Sequence, residues 1–125
     1  SPEIRLNAAK ELLKRPSSDL VRLVEKALED EKNNKVREIF LLVLAKEGLK
    51  SDDKSNRLQS LKTIYEFGSI DFKSDLEVLL AKNDVGDYLE IDSEIRDSAA
   101  KAIAKIEHRQ FFINQVANLF YGISL

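Results

Sequence analysis

One eight-residue segment occurs twice in this chain, and this repetition constrains the fold more than any other feature. Residues 3–10 read EIRLNAAK and residues 94–101 read EIRDSAAK, identical at six of the eight positions. Repetition at helical spacing is typical of a solenoid, in which each pair of helices buries its apolar face against the neighbouring pairs. We therefore interpret the chain as an array of helical repeats.

The composition predicts an all-α fold. The chain of 125 residues contains four glycines and two prolines, too few for a protein rich in turns and sheets. Leucine, alanine, glutamate and lysine dominate, and these residues favour helices. The length suits one globular domain. Because position 1 is not methionine, we expect the chain to be a piece of a longer protein.

Hydrophobic periodicity predicts six helices followed by an apolar tail, about six to seven antiparallel helices in all. Ser1 and Pro2 are suited to begin the first helix, and Pro16 to end it. Its apolar residues at helical spacing are Ile4, Ala8, Leu12 and Leu13. Ser17 is expected to cap the second helix, whose broad apolar stripe comprises Leu20, Val21, Leu23, Val24, Ala27 and Leu28.

The other helices are predicted over residues 36–46, 53–67 and 71–82 and from residue 94 onward, after a polar loop. Residues 39–45 are all apolar and by pattern alone would also fit a buried strand. Leucine and alanine dominate there, Gly48 suits a helix C-cap, and no partner strand is evident, so we predict a helix. It should be the most buried element, with neighbours on both sides. The last helix carries Ile95, Ala99, Ile103 and Ile106.

Four arginines share a sequence frame in which Asp or Asn precedes three of them by four residues. The arginines are Arg5, Arg37, Arg57 and Arg96, and the preceding residues are Asn33, Asp53 and Asp92. This frame resembles HEAT and PBS-lyase-like repeats. The resemblance implies that the acid caps the helix, that the arginine reaches an acid or carbonyl groups, and that paired alanines let helices approach closely. The spacings of 32, 20 and 39 residues make the array irregular. We favour a structural ladder of arginines over contact with a ligand.

The C-terminal tail differs from the rest of the chain because no charged residue follows Arg109. Residues 111–125 read FFINQVANLFYGISL, and fifteen residues fall short of the roughly 20 that a membrane-spanning helix requires. Two interpretations stay open. The tail is the start of a membrane segment, or it is the last helix of the repeat array with Phe112, Val116, Leu119 and Phe120 facing inward.

The order of these features resembles the urea-type permeases of ABC transporters, within the branched-chain amino-acid permease family. The resemblance rests on the repeats, on IEHR at residues 106–109 and on NLFYGISL at residues 118–125. It implies a HEAT-like domain over residues 1–110 and the start of the first membrane helix at residues 111–125. It further implies a bacterial inner-membrane protein with this domain on the periplasmic side.

The function implied by the resemblance is that of a non-catalytic scaffold or docking module in a permease for urea or branched-chain amino acids. Its partners would be other transporter subunits or the substrate-binding protein, together with the membrane. The alternative is a stand-alone HEAT-like adaptor that binds another protein.

We expect no catalytic, cofactor-binding or metal-binding residues. His108 is the only histidine and cysteine is absent, which leaves little basis for the common metal sites or for a histidine relay. The acidic residues of the polar loop do not follow the order of a calcium-binding loop, so we predict a solvated loop; they are Asp84, Asp87, Glu90, Asp92 and Glu94. The net charge of −2 provides no basic surface for nucleic acid.

Overall fold

The computed structural model describes residues 1–15 and 17–122, and the elements in this part of the chain are helical. The six α-helices are α1 (Pro2–Lys14), α2 (Val21–Asp30), α3 (Asn34–Gly48), α4 (Lys54–Phe67), α5 (Lys73–Val78) and α6 (Ser93–Tyr121). Short 3-10 turns, Ser18–Leu20 and Ile70–Phe72, lead into α2 and α5. The all-α prediction is confirmed for the described residues, whereas the HEAT-like solenoid stays a prediction.

The chain divides into two compact units, Ser1–Phe67 and Gly68–Leu125. In the first unit, α3 packs against α1, α2 and α4. It buries more side chains than any other helix, namely Val36, Phe40, Leu42, Val43 and Ala45. An element that is apolar on every side requires neighbours on every side. The prediction of a buried helix at residues 36–46 is therefore confirmed.

Gly48 does not form the predicted C-cap of α3. The helix includes Gly48, and Leu49 occupies the C-cap position. A Cβ atom there would meet the hydroxyl of Ser60 on α4, which would have to rotate away. The absence of a side chain at this position leaves room for that hydroxyl.

The first helix buries only part of its predicted apolar face, namely Leu12 and Leu13. Ala9 is fully buried in a core with Val24, Val36, Phe40 and Val43, and Leu6, Leu12 and Leu13 pack against that core. Ile4 is 71% exposed and Ala8 is exposed, so their predicted place on the apolar face is wrong. The helix ends at Lys14. Pro16, its predicted end, lies outside the described residues.

The second helix does not start at its predicted cap, because α2 begins at Val21 with Leu20 at its N-cap position, and its apolar stripe is narrower than predicted. The Ser17 hydroxyl accepts a hydrogen bond of 3.2 Å from the Asp19 backbone N–H and caps the 3-10 turn that leads into α2. Val24 is buried, whereas Leu23 is 65% exposed. Only one side of the predicted stripe therefore faces the core.

In the second unit, α5 packs against α6. The inward side of α6 comprises Ile95, Ala99, Ala102 and Ile106, and the 3-10 turn and α5 contribute Phe72 and Leu76. The fifth helix ends at Val78, earlier than predicted, because the following residues fold back in a short hairpin. In that hairpin, Leu89 N–H donates to the Ala81 carbonyl over 3.0 Å.

The polar loop is ordered by Asn83. Its side-chain oxygen accepts hydrogen bonds from the backbone N–H groups of Val85 and Asp87, at 3.1 and 3.0 Å. Gly86 has a φ of 90°, in the left-handed region that glycine adopts without strain. The loop is therefore a compact hairpin with exposed acidic side chains at Asp84 and Asp87.

The last helix extends well beyond the second octet. α6 has 29 residues, a length of about 43 Å at 1.5 Å per residue. It runs without interruption across residues 110 and 111, so the apolar tail continues an existing helix. The division at this point stays a prediction about the parent protein, and residues 123–125 lie outside the described residues.

Candidate docking surfaces

Residues of the Asn/Asp–Arg sequence frame form a network of hydrogen bonds at the start of α3. Asn33 Oδ1 accepts a hydrogen bond of 3.1 Å from the backbone N–H of Val36 and caps the helix. Glu31 Oε2 accepts one of 3.1 Å from the backbone N–H of Asn33. Arg37 Nη1 donates to the carbonyls of Leu28 and Glu31, at 2.7 and 2.8 Å. Three side chains thus fix the turn that precedes α3.

The same network of hydrogen bonds occurs at the start of α6. Asp92 Oδ1 accepts hydrogen bonds from Glu94 and Ile95 N–H groups, at 2.9 and 3.2 Å. Glu90 Oε2 accepts from Asp92 N–H over 3.0 Å, and Arg96 Nη1 donates to the Glu90 carbonyl over 2.7 Å. The predicted caps and the predicted arginine–carbonyl contacts are confirmed at these two helices. The glutamate six residues before each arginine was not part of the predicted frame.

A related arrangement begins α4, with serine in place of the glutamate. Ser51 Oγ accepts from Asp53 N–H over 3.1 Å, and Asp53 Oδ1 accepts from Ser55 N–H over 3.0 Å. The Asp53 cap is therefore confirmed as well. Because a hydroxyl and a carboxylate oxygen both accept hydrogen bonds, the two residue types serve the same purpose here.

Arg5 links the first helix to the turn before α3. Its Nε and Nη2 atoms donate to the two carboxylate oxygens of Glu31, at 2.7 and 3.2 Å. This hydrogen bond, followed by the backbone N–H of Asn33, holds the pKa of Glu31 below its usual value, and the same bond raises the pKa of Arg5. The side chain of Glu31 is 5% exposed. Arg5, Arg37 and Arg96 thus have structural roles in the described residues.

An open groove in the first unit is a second candidate binding surface. It has a volume of about 660 Å³ and is bordered by α2, the C-terminal half of α3, and α4. Leu41 and Leu44 of α3 line it together with Gln59 of α4 and the carboxylates Glu25 and Glu47. This groove is not evident from the sequence, because its residues come from three helices and share no sequence motif.

The far end of α6 exposes apolar side chains, opposite to what a helix on a water-soluble core would show. Residues of the predicted tail have the following exposed fractions: Phe111 60%, Phe112 63%, Ile113 53%, Val116 37%, Leu119 79%, Phe120 72% and Tyr121 74%. The interpretation that Phe112, Val116, Leu119 and Phe120 face inward is therefore wrong.

The less exposed side of this segment is polar. Gln110, Asn114 and Asn118 recur every four residues and are only partly exposed, so they form one stripe along the helix. Gln110 Nε2 donates to Asn114 Oδ1 over 2.9 Å. The segment is therefore amphipathic in an inverted sense. The amides of this stripe are turned away from solvent, whereas the aromatic and aliphatic side chains are turned toward it, together with Gln115.

The single histidine lies on the exposed surface of α6. Its neighbour Glu107 accepts a hydrogen bond of 3.3 Å from Lys73, and Arg109 donates to the carbonyl of Gly68. His108 itself is exposed. In the acidic stretch, Glu90 and Asp92 accept backbone hydrogen bonds as described above, and in residues 1–15 and 17–122 no group of three or more His, Asp or Glu side chains is placed to hold a metal ion.

None of the helices in the described residues combines the length and the apolar character needed to cross a membrane. Comparisons of the chain with protein-family models, with curated proteins and with solved structures find no match. The likeness to urea-type permeases therefore stays a prediction, and three of its eight closing residues, 123–125, lie outside the described part.

Proposed function

We propose that this chain is a non-catalytic helical domain that stands beside the membrane region of an ABC permease for urea or branched-chain amino acids. In this role it is a scaffold or docking module on the periplasmic side, and its partners are other transporter subunits or the substrate-binding protein. The observation that carries the proposal is the inverted amphipathicity of α6 beyond Arg109. The choice of transporter family rests on the sequence resemblance.

The exposed side chains of this segment favour transfer to an apolar environment. Covering one large apolar side chain contributes about 1.5–3 kcal/mol, so the partly exposed set from Phe111 to Tyr121 represents on the order of 10 kcal/mol. Monomeric soluble proteins rarely leave such a contiguous apolar surface uncovered.

The charge pattern favours lipid over a protein partner. Protein–protein interfaces carry a polar rim around their apolar centre, whereas no Lys, Arg, Asp or Glu follows Arg109. Phenylalanine and tyrosine near a membrane surface suit the boundary between headgroups and acyl chains. The amide stripe of Gln110, Asn114 and Asn118 then faces away from the lipid.

The reading frame of the parent gene tests this proposal directly. We expect the coding sequence to continue past Leu125 into several apolar stretches of about 20 residues each. A stop codon directly after Leu125 would contradict the proposal.

The alternative function, a stand-alone adaptor that binds another protein, is favoured by the groove in the first unit. A chain ending at Arg109 separates the two functions. Because Ile106 is the last fully buried residue of α6, we expect this shortened chain to keep its helical circular dichroism and to become more soluble. Loss of the folded state on truncation would make the tail an integral part of the core and would favour the adaptor.

A further inference from the structure

We propose that the groove bordered by α2, α3 and α4 binds an extended peptide segment that carries a lysine or arginine beside an apolar residue. The proposal names the docking face of the scaffold described above and rests on that function for its biological context. The groove itself lies within the first unit and does not involve α6.

The groove is large enough for several side chains. Its volume of about 660 Å³ falls within the range of about 300–1,000 Å³ typical of ligand pockets. Its α4 wall runs from Asn56 to Thr63, about 10 Å along the helix axis. An extended peptide advances about 3.3 Å per residue, so this wall accommodates about three residues of a bound strand.

The floor of the groove is apolar and favours contact with an apolar side chain of the ligand. Leu41 and Leu44 line it and are only partly buried, although they belong to the most apolar helix of the chain. Covering this surface is favourable because it removes apolar area from water, as the packing of α3 against its neighbouring helices does.

The charged residues of the groove favour a cation. Glu25 and Glu47 line it, and the described lining residues include no Lys, Arg or His. The side chain of Glu47 is 13% exposed, and its ion pair with Lys50 has a length of 3.5 Å. Because Lys50 is 70% exposed, that pair contributes little, and a ligand cation can replace it.

The polar side chains of the α4 wall suit a ligand with an extended, exposed main chain. Amide side chains offer both a donor and an acceptor and therefore suit the N–H and C=O groups of a peptide. Gln59 is exposed on this wall. The other amide of the lining, Asn56, already donates its Nδ2 to Ser51 Oγ over 3.2 Å. Gln59 is thus the side chain best placed to contact the main chain of the ligand.

Fluorescence polarisation with two labelled peptides of about six residues tests the proposal on the full chain. One peptide alternates leucine with lysine, and the other alternates leucine with glutamate. We expect binding of the cationic peptide only. Failure of the cationic peptide to bind, or equal binding of both peptides, would overturn the proposal.

Two variants locate the binding in the groove. Glu25→Gln should weaken binding of the cationic peptide about threefold, as expected for one exposed ion pair, and Gln59→Lys should weaken it at least about tenfold through added bulk and charge. The matched control is Glu29→Gln, at an exposed acid of the same helix that does not line the groove. An equal loss with Glu29→Gln would show general attraction to an acidic surface and would overturn the proposal.

The outcome is independent of the membrane test. Peptide binding together with a stop codon after Leu125 would retain the groove and transfer its role to the adaptor. If the peptide does not bind and the reading frame continues past Leu125, peptide binding by the groove is refuted and the proposed place beside a permease stands.

Discussion

The two copies of the octet bury different sides of their helices. In α6, Ile95 and Ala99 are fully buried, whereas the equivalent residues of α1, Ile4 and Ala8, are exposed. In α1, Ala9 is fully buried instead, and its equivalent Ala100 is exposed. At 100° per residue, the two buried sides lie roughly 140° apart around the helix axis. A shared segment therefore specifies a helix without specifying which side of it faces the core.

The residues that differ between the copies, and those that follow them, determine the buried side. Continuing the Ile95 side by helical spacing leads to Ala102 and Ile106 in α6. The equivalent positions after the first octet are Glu11 in α1 and Arg15, directly after the end of α1. The side that begins at Leu6 stays apolar in α1 through Leu12 and Leu13. In α6 it begins instead with the exposed Asp97. Each helix buries the side that carries no charged residue, because burying a charged side chain would remove its hydration.

The largest expected effect concerns the isoleucine that the octets share. Ile95→Ala should lower the free energy of unfolding by about 3 kcal/mol, because it removes a fully buried side chain and leaves a cavity. The matched variant Ile4→Ala should change it by less than about 0.5 kcal/mol. Urea denaturation followed by circular dichroism measures both. Similar losses at the two positions would contradict the difference in buried sides.

A smaller effect is expected at the position where the octets differ most. Leu6→Asp should lower the free energy of unfolding by about 2 kcal/mol, because a carboxylate would replace an apolar side chain packed on the core. The reverse exchange, Asp97→Leu, should change it by less than about 0.5 kcal/mol. The same urea experiment applies. A neutral Leu6→Asp variant would show that Leu6 does not select the buried side of α1.

The helix caps should behave alike in the two units. Asn33→Ala and Asp92→Ala should each cost about 1 kcal/mol, because each removes a side-chain acceptor from the first turn of its helix. Asp52→Ala is the control, since Asp52 is exposed and precedes the cap of α4. A loss at only one of the two capped positions would break the equivalence of the starts of α3 and α6.

The smallest expected effect is the contribution of Glu31 to acid stability. Its pKa in the folded chain lies below its ordinary value of 4.5. Its stabilising contribution is therefore complete above that value and is lost as the pH falls through the lower folded pKa. Glu31→Gln should lower the urea midpoint near neutral pH and reduce its further fall in acid. Glu29→Gln should keep the acid profile of the unchanged chain, and identical profiles for the two variants would contradict this role.

Local sequence patterns were sufficient for most helices and for the caps. Capping by Asn33, Asp53 and Asp92 depends on bonds within one turn of chain, so a sequence frame reveals it. The glutamates at positions 31 and 90 act before the helix begins, where helical periodicity gives no signal. The end of α5 was missed because Leu79 and Leu80 fit a helical spacing, although the hairpin bond between Leu89 and Ala81 competes with the helix.

The candidate docking surfaces are harder to predict than the helices and caps, because they depend on packing between residues far apart in the sequence. The uncharged segment after Arg109 was evident from the sequence, but its inverted orientation depends on which side of α6 the rest of the chain covers. The groove could not be predicted, because Glu25, Leu44 and Gln59 meet only after three helices have packed. Periodicity identifies an apolar side of one helix and does not identify a space between helices.

The most direct test of the proposed membrane association uses a tryptophan at the far end of α6. The chain contains no tryptophan, so Phe112→Trp introduces a single emitter at a side chain that is 63% exposed. Tyr65→Trp, on α4 at a position that is 40% exposed, is the matched control. With phosphatidylcholine vesicles, we expect the emission of Phe112→Trp to shift to shorter wavelength and to be quenched by brominated lipid, while Tyr65→Trp is unaffected. An emission spectrum of Phe112→Trp that is the same with and without vesicles would contradict the account.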